Sequence, residues 1–302
     1  MIPSGHLLLP SPLEKIIHPV AEDKGIELLV KRDDLIHPEI SGNKYRKLHY
    51  NLAQAELLKK ETVLTFGGAF SNHIAATASA CALAGIKSTG IIRGEEADLE
   101  NPTLKRAREN GMIIHPITRE RYDQKEEPLF HEELREQFGN IYIIPEGGKN
   151  YYGVNGCIEI LQEVKEEFDL VCCAVGTGTT ISGLSIALNE QQRIIGFPAI
   201  KGGEYLLEEV KSLLHWSLFD KEWVESIVKK ISLQCDFHFG GFAKSNPELM
   251  EFISDFESIT GIPLDKVYTG KMMFGLMEMI RNGSIAGGTR ILIYHSGGLQ
   301  GN

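Results

Sequence analysis

Short apolar runs alternate with longer amphipathic stretches along this chain, and that alternation limits its fold more than any other feature. Apolar runs at 26–30, 63–66, 88–92 and 112–114 are separated by helix-like stretches at 44–60, 71–84 and 102–110. The same rhythm resumes with runs at 141–144, 170–175 and 193–197 and a strand at 291–294. Between them lie helical stretches at 153–168 and 179–189, near 204–214 and 247–259, and at 271–281. Four to six apolar residues bounded by turn residues read as buried strands, and longer runs with a 3.6-residue period read as helices. Strands parted by helices predict an α/β fold of three αβα layers with mainly parallel, twisted sheets. Ligands in such sheets sit at the carboxyl ends of strands, in loops that lead into helices, so chemistry is expected there.

A chain of 302 residues exceeds one small core, and two α/β lobes with a cleft between them are expected. The net charge of −10 argues against nucleic acid as a partner, because a duplex requires a basic surface. No basic stretch precedes a long apolar segment near Met1, and no window reaches the ~18 apolar residues of a spanning helix, so a cytoplasmic protein is expected. Five cysteines, including the adjacent Cys172 and Cys173 in an apolar run, read as buried small hydrophobes in a reducing compartment. No metal site is expected. The charge-rich stretch 119–127 reads as a solvated loop and helix start.

Three turns carry the chemistry. In SGNKYRKL, Lys44 falls in the first turn of a helix, where the dipole disfavours a cation. A lone lysine is most often a solvated surface group, so this one gains meaning from its company. In FGGAFSNH, two glycines lead to Ser71 at an N-cap position, with Asn72 and His73 beside it. Amides exposed at such a helix start bind a carboxylate, and these side chains are expected to add donors. In VGTGTT, Gly176 and Gly178 let the backbone approach an anion, and Thr177, Thr179 and Thr180 supply hydroxyls at a helix N-terminus. This is a phosphate cup. It is neither the dinucleotide fingerprint, since Ile181 replaces a third glycine, nor a Walker loop, since no lysine follows Gly183.

In this order, these turns resemble the fold-type II pyridoxal 5'-phosphate (PLP) enzymes, which have the tryptophan synthase β-like fold. Within them, the chain resembles the 1-aminocyclopropane-1-carboxylate deaminase and D-cysteine desulfhydrase family. PEGGKN, VYTGKM and HSGG extend the likeness over nearly the whole chain. The resemblance implies that Lys44 carries PLP covalently, that Lys47 and residues 176–180 hold its phosphate, and that Asn72 meets the ring hydroxyl. It places Ser71, Asn72, His73 and Tyr268 at the substrate, with Lys44, Ser71 and Tyr268 catalytic, and puts Thr269 and Ser296 towards the pyridine side. It also implies a homodimer and a larger PLP-binding domain, 1–46 plus 157–302, interrupted by a smaller α/β domain, 47–156.

Ring-opening members typically have glutamine where His73 stands and an acid where Thr269 stands. A carboxylate beside the pyridine nitrogen strengthens its electron sink, and a hydroxyl does so less. A phenylalanine, Phe239 or Phe242, also stands where those members carry a second tyrosine. The expected activity is therefore α,β-elimination from a small amino acid, giving a 2-oxo acid, ammonia and sulfide. The alternatives are cyclopropane ring opening to 2-oxobutanoate and ammonia, and a non-catalytic PLP- or amino-acid-binding protein.

Overall fold

The computed structural model describes residues 2, 3, 5 and 7–299, so the outer ends of the expected larger domain, at Met1 and Asn302, lie outside the described residues. The chain opens with β1 (Leu13–Ile16), α1 (Pro19–Glu22), β2 (Glu27–Arg32) and α2 (Asn43–Leu57). It continues through β3 (Thr62–Gly67), α3 (Asn72–Ala84), β4 (Lys87–Arg93), α4 (Pro102–Glu109) and β5 (Met112–Ile117), then α5 (Arg119–Tyr122), α6 (Pro128–Phe138) and β6 (Ile141–Ile144). There follow α7 (Tyr151–Gln162), β7 (Leu170–Val175), α8 (Thr179–Ile186), β8 (Arg193–Pro198), α9 (Leu206–Ser217), α10 (Lys221–Val228), β9 (Ile231–Leu233), α11 (Pro247–Thr260), α12 (Thr269–Arg281) and β10 (Arg290–His295).

The strands form two sheets. Six are ordered β1-β2-β10-β7-β8-β9, all parallel except the β1–β2 pair, and four parallel strands are ordered β5-β4-β3-β6. Strand β7 is apolar along its whole buried length, as suits a parallel strand covered on both faces. On one face of the larger sheet α1, α11 and α12 bury Ala21, Phe256 and Met272, and on the other α7 to α10 bury Ile160, Leu184, Val210 and Val224. The smaller sheet carries α2, α3 and α4 on one face and α5 and α6 on the other, around Leu48, Ala80, Leu104, Phe66 and Leu134.

The expected crossing points at 46/47 and 156/157 fall inside α2 and α7, and these two helices touch each other. A Cβ on Gly156 would lie 1.8 Å from the carbonyl oxygen of Arg46, so the backbones meet where only glycine fits. Beneath this contact lies a buried charge cluster. Arg46 donates to both oxygens of Asp33 at 3.0 Å and to both oxygens of Glu163, at 2.6 and 2.8 Å. Tyr294 donates to Asp33 at 2.9 Å, and Lys31 donates to Glu163 at 2.6 Å. The cluster ties the start of α2 to β2, β10 and the end of α7.

Candidate active site

Three strand ends and one helix turn converge: β3 before α3, β7 before α8, β10 before residues 296–298, and the turn that opens α2. Gly42 caps α2 at φ 63°, and a Cβ there would stand 1.8 Å from the carbonyl oxygen of Ser296. That oxygen accepts the N–H of Asn43 at 3.2 Å. The Asn43 side chain donates to Thr180 Oγ1 at 3.1 Å and accepts from Lys44 Nζ at 3.2 Å, joining the lysine turn to the glycine–threonine turn.

Lys44 is partly open to the cleft but has protein on most sides. Burial, then repulsion from Lys47, brings its ammonium from the ordinary lysine range down to about 7. Lys47 is buried, forms no ion pair with a described carboxylate, and is likewise pulled down by burial. At the next turn Gly178 adopts φ 83° as the N-cap of α8, and no side chain caps that helix. Thr177 and Thr179 share a hydroxyl bond of 3.1 Å, and a Cβ on Gly147 or Gly153 would crowd the methyl of one or the other. An uncapped helix start, three hydroxyls and a buried ammonium lacking a carboxylate form a site that fits a phosphate.

Ser71 caps α3, its Oγ accepting the N–H groups of His73 and Ile74 at 3.2 and 3.3 Å. Asn72 Nδ2 lies 3.3 Å from where a Cβ on Gly298 would stand, and so reaches the loop after β10. His73 differs from expectation. Thr65 gives its one hydroxyl proton to the carbonyl of Ile144 at 2.8 Å, so it accepts from His73 Nε2 at 2.9 Å. The ring therefore directs its only N–H at Thr65 and donates nothing to the cleft. Its Nδ1 has no described partner, and burial beside Lys44 and Lys47 keeps the ring neutral.

Tyr268 packs its ring over the turn after β7, 3.3 to 3.7 Å from where a Gly176 Cβ would be. Burial raises its phenol pKa, so the proton is retained. Thr269 does not line the cleft: it is fully buried, donates to Asp265 Oδ1 at 2.7 Å and accepts the Asp265 N–H at 2.9 Å. Asp265 was not singled out from sequence, yet it organises this end of the site by accepting the N–H groups of Val267, Tyr268 and Thr269, each at 2.8 Å. Its only sequence signal is an acid just ahead of a helix start. Ser296 follows β10 and lies beside Gly42.

Against known proteins, residues 7–297 match the profile of the family described as "Pyridoxal-phosphate dependent enzyme". The chain belongs to that family. A Thermotoga maritima protein provisionally named a 1-aminocyclopropane-1-carboxylate deaminase is 33% identical, with 97% of this chain and 95% of that protein covered. The "Bifunctional D-cysteine desulfhydrase/1-aminocyclopropane-1-carboxylate deaminase, mitochondrial" of Arabidopsis thaliana is also 33% identical, over 97% of this chain and 77% of its own length. A crystal structure of an "ACC deaminase homologue" superposes with a TM-score of 0.81 at 28% identity, covering 98% of this chain and 91% of that one.

The protein is thus a fold-type II PLP enzyme of the deaminase and desulfhydrase family, and its cofactor is pyridoxal 5'-phosphate. The turn at 176–180 with Lys47 fits the cofactor's phosphate, and the amine of Lys44, neutral in part near pH 7, fits its aldehyde. Among the described residues no group of three metal-ligating side chains occurs, and no helix is long and apolar enough to cross a membrane.

Proposed function

We propose that the enzyme converts cysteine and one water into ammonia, a 2-oxo acid and sulfide, as a D-cysteine desulfhydrase does. The observation that carries this is Lys44: a cleft-facing amine whose proton affinity is drawn down to about 7, linked through Asn43 to an uncapped helix start. Bound there, PLP supplies an electron sink that makes a proton on the substrate α-carbon acidic. Displaced from the cofactor's aldehyde by the substrate's own amine, the amine of Lys44 would take that proton, a useful fraction of it being unprotonated near neutrality. Ser71 and the first amides of α3 hold the substrate carboxylate. As the bond from the β-carbon to sulfur breaks, its electron pair leaves with sulfur, and Tyr268, whose phenol keeps its proton, stands as the donor that neutralises it. Lys47, Gly176, Thr177, Gly178, Thr179 and Thr180 would hold the phosphate, and Asn72 and Ser296 would meet the ring.

Ring opening of 1-aminocyclopropane-1-carboxylate is the second reading, favoured by the names of both relatives. Elimination is preferred here because no carboxylate follows Tyr268: the neighbouring Thr269 is committed to Asp265. Assaying purified enzyme with both substrates decides between them. Pyruvate and sulfide from D-cysteine support the proposal, and 2-oxobutanoate from the cyclopropane amino acid without sulfide release overturns it. We also propose the division into 1–46 plus 157–302 and 47–156, supported by the grouping of β3 to β6 in a sheet of their own. A homodimer belongs to the same proposal and rests on family resemblance.

A further inference from the structure

Lys271, the third residue of α12, is a buried cation without a counter-ion. It is 1% exposed and forms no ion pair with a described residue. Its ammonium, with three donors, instead meets three backbone carbonyls: Gly241 at 2.8 Å, His238 at 2.9 Å and Ala199 at 3.4 Å. Two of these lie in the loop 238–244. The third follows β8, where the Ala199 N–H bonds the carbonyl of Val175, the last residue before the phosphate turn.

That loop cannot hold its shape cheaply. Phe239 and Ala243 take φ of 53° and 55°, left-handed values costly for residues with a Cβ, and Gly240 and Gly241 lie between them at 92° and 124°. Its internal bonds, from Gly241 N to His238 O, Gly240 N to His238 Nδ1 and Lys244 N to Gly241 O, brace the turn without attaching it to the body. Attachment comes from the Phe239 ring, edge-on to Phe274 at 4.9 Å, and from Lys271. At the tip Phe242 is 59% exposed and meets Tyr268 edge-on at 6.0 Å. Helix α12 therefore begins with the ring that faces the cleft and, three residues later, holds the loop that covers that ring.

We propose that Lys271 is a positioning residue: its ammonium pins the 238–244 loop to the end of β8, so that Phe242 forms an apolar wall beside Tyr268 against which the substrate's β-substituent packs. The wall favours a soft, weakly hydrated group such as a thiol over a hydroxyl, because a hydroxyl pressed against it loses hydrogen bonds to water. This rests on the reading that Tyr268 faces the substrate.

The test compares wild type, Lys271→Met, Lys271→Gln and Phe242→Ala, each loaded with PLP. By hydrogen exchange, amides 239–244 should exchange about tenfold faster or more in both Lys271 variants, while residues 176–180 keep wild-type protection and the bound cofactor keeps its absorbance. With D-cysteine, KM should rise roughly tenfold in the Lys271 variants and in Phe242→Ala, with kcat nearly unchanged, and the preference for D-cysteine over D-serine should shrink in all three. Unaltered loop exchange in folded Lys271 variants overturns the pin, and an unaltered substrate preference in Phe242→Ala overturns the wall. If neither Lys271 variant folds, the lysine is a structural group and the proposal fails. A wild type that binds PLP but releases no sulfide sinks the desulfhydrase reading instead, and the exchange data still decide the pin.

Discussion

An ammonium in the first turn of a helix has the helix dipole against it, and at Lys44 burial and a second lysine add to that opposition. In the cofactor-free protein Lys44 should therefore react with an amine-selective acylating reagent with a midpoint near pH 7, read by peptide mass mapping, far below an ordinary lysine. Replacing Lys47 by Met removes a like charge, so the Lys44 midpoint should move up. The linkage has a fixed sign. A lysine lowered on folding binds fewer protons folded than unfolded between about pH 7 and its ordinary range, so its contribution to stability grows with pH through that window and is least below it. Lys44 and the threonine turn were legible in sequence because both lie within a few residues of a helix start. Asp265 and Thr65 were not, because their meaning lies in partners set by folding: Asp265 in the amides it gathers, Thr65 in the Ile144 carbonyl that fixes the tautomer of His73.

At the scale of elements, α2 is held by contacts that sequence pattern does not reveal. Truncating Asp33 to Ala removes one of the two carboxylates that Arg46 grips and the acceptor of the Tyr294 hydroxyl, and should cost about 3–5 kcal/mol in urea denaturation, as breaking a buried ion pair does. Gly156→Ala would drive a methyl into the backbone of Arg46 and should destabilise by about 1–3 kcal/mol while weakening PLP binding, because α2 carries Lys44 and Lys47. At the other end of the site, Asp265→Ala removes the acceptor of three amides in the turn that leads into α12 and should cost about 1–2 kcal/mol in the same measurement. The long periodic elements were readable from their patterns, with ends shifted by a few residues. The short strands β1 and β9 and the helices α1 and α10 were not anticipated, and of α5 and α6 only a helix start within 119–127 was read. Three or four residues carry too little periodicity to identify a strand, and β1 is fixed by antiparallel pairing with β2.

On the scale of the whole molecule, two sheets share one cleft, and the chain crosses between them through helices instead of linkers, which is why no compositional break marked a boundary. The ligand that fills the cleft should couple them. At about a hundredfold excess over its dissociation constant PLP should add about 2.7 kcal/mol of stability, seen as a rise in Tm that Lys44→Ala reduces. The most direct test is chemical: reduce the PLP-loaded enzyme with borohydride, digest it, and locate the pyridoxyl group by mass spectrometry. It should lie on the Lys44 amine alone. A pyridoxyl group on Lys47 or another lysine, or no attached cofactor at all, would contradict that assignment.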